Sequence, residues 1–184
     1  VDEAIAANPE DARRASDALY NAALWTEGLG HYDEAVALYR EYIEKYSTVQ
    51  DAVPSATLAL NIALIYEKAK DWDKAEKAFE DFVRTYANRA TQGEIFFAHY
   101  SRAKALLEMG RNADAQREFK TVTELFPNLP EPAQKRIDYI DAYAHAHFML
   151  LEDDWRKYVN IRFDNVRTLT RSLKAKLEAT PKIE

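Results

Sequence analysis

The sequence predicts an all-α chain built from stacked antiparallel helix pairs. Three observations carry this. Shifting the 184-residue sequence by forty residues superposes small and aromatic residues in three copies. Apolar residues recur at three- and four-residue spacings, and no strand alternation competes with them. The 4 Gly and 6 Pro are too few for a turn-dense all-β domain or a disordered chain.

The forty-residue shift aligns Ala23, Ala63 and Ala103 in a first helix, and Ala35, Ala75 and Ala115 in a second. It also aligns Tyr39, Phe79 and Phe119, then Tyr46, Tyr86 and Phe126. The small residues let two antiparallel helices approach closely, and the aromatic residues fill the gap to the next pair. One pair cannot bury its apolar face alone, so the pairs stack.

Each boundary has a physical cause. Asn8-Pro9-Glu10-Asp11 supplies an N-cap, a first-turn proline and acids matched to the helix dipole. Gly30 and Gly110 stop the first helices of pairs one and three, because glycine enters the left-handed region without a Cβ penalty. Lys70 must do the same in pair two at some cost, and Asp71 caps the helix that follows. Thr91-Gln92-Gly93-Glu94 is a capping box that opens pair three. Pro130 and Pro132 open a fourth, degenerate pair. The expected repeats are about 9–47, 54–87 and 91–127, with the degenerate pair over 130–178. In that pair Arg136 to Leu151 forms a long first helix. Asp153-Asp154 caps a second that runs from Trp155, where Tyr158 replaces the small residue and widens the packing.

On these residues the chain resembles the tetratricopeptide repeat (TPR) family. The likeness runs from Asn21-Ala22-Ala23 through Gly30-His31-Tyr32-Asp33-Glu34-Ala35 to Tyr39. It recurs from Asn61-Ile62-Ala63 to Phe79, and from Ala103 through Gly110 and Ala115 to Pro127. Residues 17–127 are covered well. Two departures stand out: the family's first-helix aromatic is Leu19, Ala59 and His99 here, and the period is forty rather than thirty-four. The resemblance implies a right-handed superhelix, an α-solenoid, forming one domain of a larger protein. Aromatic helix ends at Tyr46, Tyr86 and Phe126 are most like repeat proteins of bacterial cell envelopes, which favours the periplasm or envelope over the cytoplasm.

The family's first helices line the concave side of the superhelix. By that resemblance Tyr20, Leu60 and Tyr100 form one row, with Leu24, Leu64 and Lys104 beside it and Glu27 and Glu67 at its edge. Asp17, Thr57, Phe97 and Leu107 fall on the same face. An apolar and aromatic row rimmed by acids suits an amphipathic or basic peptide, held by buried anchors and complementary charge. The alternative is that these residues pack within the superhelix. The family's clamp for C-terminal carboxylates needs Lys and Asn where Tyr20 and Leu24, or Leu60 and Leu64, stand, so that specificity is not expected.

The charge balance is uneven. Of the net −6, residues 155–184 carry eight basic and three acidic side chains, +5, leaving −11 on residues 1–154. An acidic body is a poor platform for nucleic acid. The last helix carries an apolar seam of Val159, Phe163, Val166, Thr170, Leu173 and Leu177, with Arg167, Arg171 and Lys174 on another face. The seam covers the end of the preceding repeat or contacts a partner helix, self-association included; contact with an acidic membrane is the third possibility. Val1 to Pro9 resembles the tail of a preceding second helix.

Catalytic chemistry finds few footholds. There is no Cys, which excludes disulfides, thiolate-bound metal and thiol catalysis. His145 and His147 are two apart and point to different helix faces, and His31 and His99 stand alone. Gly28-Leu29-Gly30 follows a helix rather than a strand and is no phosphate loop. No metal or cofactor is expected, and no stretch approaches ~20 consecutive apolar residues. The function expected is a non-catalytic scaffold for another protein or peptide, or else a purely architectural spacer or self-association module.

Overall fold

The computed structural model describes residues 8–49 and 51–159. The chain divides into two compact units, residues 1–149 and 150–184, each taken by itself. The part of the expected last helix beyond Val159, with its seam from Phe163 to Leu177 and with Arg167, Arg171 and Lys174, and the segment Val1–Ala7 lie outside the described residues.

The first unit is a succession of helix pairs. Helices α1 (Pro9–Gly28) and α2 (Tyr32–Tyr46) form the first, and α3 (Ser55–Lys68) and α4 (Trp72–Tyr86) the second. The third is α5 (Gln92–Glu108) with α6 (Asn112–Leu125). A 3-10 turn at Phe126–Asn128 and a single helical turn, α7 (Glu131–Gln134), lead to α8 (Ile137–Val159). Each helix packs on its pair mate, and α5 packs on α4 of the preceding pair. This is an all-α solenoid.

The caps explain where the helices begin and end. Asn8 accepts a hydrogen bond from the Asp11 amide at 3.5 Å, with Pro9 at the first helical position. Gly30 and Gly110 sit at φ 81° and 73°, and Lys70 takes the equivalent place at φ 58°. A non-glycine residue there costs of order 1 kcal/mol. Asp71 offsets part of that by accepting from the Lys74 amide at 3.2 Å. Thr91 and Glu94 form the reciprocal capping box, which Thr57 of α3 extends by donating to Glu94 at 2.8 Å.

The repeated alanines lie in the core of the stack. Ala23, Ala35, Ala63, Ala75, Ala103 and Ala115 are all fully buried. Tyr39, Phe79 and Phe119, also fully buried, fill the space between them. Replacing any of these alanines with a larger residue would force the helices of a pair apart.

The C-terminal end differs from the expected degenerate pair. No turn separates Leu151 from Trp155; α8 runs unbroken from Ile137 to Val159. Residues 137–159 contain neither Gly nor Pro. Asp153 and Asp154, expected as a cap, each cost only about 0.7 kcal/mol inside a helix, too little to stop one flanked by Leu and Glu. In the second unit, Leu151 and Trp155 are exposed.

Candidate interaction surface

The residues expected on one face stand on the first helices α1, α3 and α5, and the forty-residue register extends them to the start of α8. The forty-residue register places Tyr20, Leu60, Tyr100 and Ile140 at equivalent points. Asp17, Thr57, Phe97 and Ile137 form a second such set, and Leu24, Leu64, Lys104 and Ala144 a third.

The structure distributes the expected row unevenly. Leu60 is 7% exposed and belongs to the core. Tyr20 is half-buried, edge-on to Tyr39 and Tyr42 with ring centroids 6.2 and 6.0 Å away. Tyr100 is half-buried against Phe119 and His145, and its hydroxyl stands 3.1 Å from His145 Nδ1. Burial, with Glu67 and Asp141 nearby, holds the Tyr100 hydroxyl above the usual phenol range. Leu64 is half-buried, and Leu24 is 41% exposed. Of the apolar groups expected in and beside the row, Leu24 alone is exposed.

The acids at the edge are engaged within the chain. Glu27 accepts from Lys68 of α3 through Oε1 and from the Tyr39 hydroxyl at 3.1 Å through Oε2. Glu67 accepts from Lys104 of α5 through Oε1, while its Oε2 is buried with no hydrogen-bond partner. Lys104 also lies 5.2 Å from the centre of the Tyr100 ring. Each pair ties one first helix to the next. Half-screened ion pairs of this kind contribute of order 1 kcal/mol; their larger effect is to neutralise the face.

Two features were not found from sequence. The first is the contribution of α8, where Ile137 is 75%, Ile140 43% and Phe148 60% exposed. Ile137 and Ile140 stand forty residues after Phe97 and Tyr100, so the register held the signal. The second is an ionic cluster between α4, α5 and α6. Arg102 donates to Glu76 at 2.8 and 3.0 Å, to Glu80 at 2.9 Å and to Glu118 at 3.1 Å. His99 Nδ1 lies 2.6 Å from Glu118, and Arg111 approaches Glu76 at 3.7 Å. Burial alone would lower the Arg102 pKa, but the Glu76 hydrogen bonds and the charges of Glu118, Glu76 and Glu80 raise it. Arg102 stands forty residues after the buried Ile62, an unusual exchange that is tolerable only because acids surround it.

Among the described residues no group of three or more His, Asp or Glu side chains is placed to hold a metal ion. No helix among them is long and apolar enough to cross a membrane.

Stacked pairs, glycine-type helix stops and small-residue contacts define an α-helical repeat scaffold. The tetratricopeptide repeat model matches residues 27–90 and 100–152, and the chain belongs to that family. No curated protein matches the sequence. Among solved structures, it is similar to a TPR-like protein of Chlorobium tepidum TLS, with 22% identity and a TM-score of 0.57. That match covers 78% of this chain and 97% of the other. It is also similar to PcrH from Pseudomonas aeruginosa at 14% identity, covering 76% and 91% of the two chains, TM-score 0.53. PcrH in complex with the chaperone binding region of PopB gives 14% identity, 74% and 95% coverage, and a TM-score of 0.51. At these identities the likeness is one of fold.

Proposed function

We propose that the chain is a non-catalytic scaffold that binds a segment of another protein along the face of its first helices. The observation that carries this is the exposed apolar surface of Leu24, Ile137 and Ile140, on first helices whose edge acids Glu27 and Glu67 are already paired. Leu64 and the edges of Tyr20 and Tyr100 continue it, while Leu60 supports it from beneath. Burying an exposed leucine or isoleucine contributes roughly 1.5–3 kcal/mol before association costs, so three anchors alone support weak binding and the rest of the segment adds to it. Lys68 and Lys104 neutralise Glu27 and Glu67, so the favoured partner is an amphipathic segment recognised by its apolar side rather than a strongly basic one. PcrH, of the same fold, has been solved with a binding region of another protein, in keeping with this use. A bacterial envelope setting is supported by the aromatic helix ends Tyr46, Tyr86 and Phe126.

The test is selection from a displayed library of natural protein segments against the whole chain. Selected segments should share apolar anchors, and Leu24→Ala with Ile140→Ala should weaken them at least tenfold with the melting point unchanged. Binders indifferent to both substitutions, or no binders, would overturn the proposal.

A further inference from the structure

A second unpartnered face lies on α1, separate from the one just described. The residues Ala18, Ala22, Trp25 and Leu29 are spaced four, three and four apart, which places them on one stripe. Trp25 is 76% and Leu29 72% exposed, and Ala18 and Ala22 are open to solvent. In the next two pairs the equivalents of Ala18, Ala22 and Trp25 are covered wholly or in part, whereas Ala69, the equivalent of Leu29, is exposed. Leu58, Ile62 and Ile65 of α3 are buried, as are Ala98 and Ala105 of α5. On α5 the stripe reaches α4 through Arg102, which binds Glu76 and Glu80. From Ala18 to Trp25 the face of α1 therefore continues, in register, the surface by which α3 and α5 meet the preceding pair, and Leu29 extends it.

We infer that this stripe is a self-association surface and that its occupant is the α1 stripe of a second copy of the chain. Its layout is self-complementary. The small residues Ala18 and Ala22 lie toward the N-terminus, and the large Trp25 and Leu29 toward the C-terminus. Two such helices packed antiparallel about a two-fold axis set Trp25 over the partner's Ala22, and Leu29 over its Ala18. Large side chains then meet small ones along the whole contact. Charge does not oppose it: from Ala18 to Leu29 the one charged residue is Glu27, which is held by Lys68 and the Tyr39 hydroxyl. Trp25 and Leu29 expose roughly 250 Å² of side chain per copy. Two copies together bury about a third of what a standard stable interface does, so the dimer is weak.

Sedimentation equilibrium of the 184-residue chain should show a monomer–dimer equilibrium up to about 1 mM. Trp25→Ala should raise the Kd at least tenfold without altering helical content, since the side chain supports no core. Orientation has its own test, because the chain has no native cysteine. In the antiparallel pair, Ala18 lies beside the partner's Leu29 but about 16 Å from its Ala18. A short bis-maleimide should join Ala18→Cys/Leu29→Cys chains into covalent dimers and leave Ala18→Cys alone uncoupled. A monomer throughout the concentration range, association unchanged by Trp25→Ala, or open-ended polymers would each overturn the proposal. Strict monomer with intact segment binding would remove this surface while leaving the first-helix face standing.

Discussion

Gly93 stands at the second position of α5, where a helical glycine is ordinarily a weakness. Replacing such a residue with alanine raises helix stability by up to about 1 kcal/mol. Here the added Cβ would lie 2.2 Å from the Tyr139 hydroxyl oxygen and 3.2 Å from Cζ. Tyr139 is 8% exposed and its ring is held 4.5 Å from Phe97 and 5.3 Å from Phe96, so it cannot swing aside freely. Overpacking of this kind costs about 1–3 kcal/mol and outweighs the propensity gain. Gly93→Ala should therefore lower the melting temperature by about 2–6 °C, followed by circular dichroism at 222 nm. Tyr139→Phe removes the colliding oxygen and leaves ordinary contacts. In that background Gly93→Ala should be neutral or stabilising, a coupling that a double-mutant cycle reads directly. If Gly93→Ala alone stabilises the protein, Tyr139 does not rest on the start of α5. The placement of Ile137 and Ile140 beside it would then be wrong.

Three further outcomes follow from the same geometry. Arg102→Ala should cost about 2–4 kcal/mol by chemical denaturation, because it leaves the buried Glu76 and the half-buried Glu118 without their main cation. Lys68→Ala, at an ammonium that is more than half exposed, should cost under about 1 kcal/mol. Burial, then the charge of Lys104, holds the His145 pKa below its ordinary value, so the unfolded chain takes up the proton first as pH falls. The stability owed to neutral His145 is complete above about pH 6.5 and is lost progressively below it, so His145→Gln should gain on the wild type in melting temperature between pH 7.5 and 5.5.

The helix pairs could be read from the sequence because their signals are local. Gly30, Gly110, Asp71 and the Thr91–Glu94 box each act within one turn of the chain, and the six repeated alanines follow from a single spacing. The surface was harder, because equivalent positions in a repeat need not share an environment. Leu24 and Leu64 occupy the same register, yet one is exposed and the other half-buried, since α1 has no preceding pair beside it in the described residues. The ion pairs Glu27–Lys68 and Glu67–Lys104 lie forty-one and thirty-seven residues apart, on either side of the repeat period, so alignment of copies hid them. The long α8 was misjudged because a repeat pattern was extended past Leu151, where no residue demands a turn. Physical stops outrank periodicity there.

The claim that a partner segment lies on the first helices is tested most directly by amide hydrogen exchange on the chain with and without a selected binding segment. Bound segment should slow exchange in α1, α3, α5 and residues 137–149 of α8, leaving α2, α4 and α6 unchanged. Protection confined to α2, α4 and α6 would contradict the account.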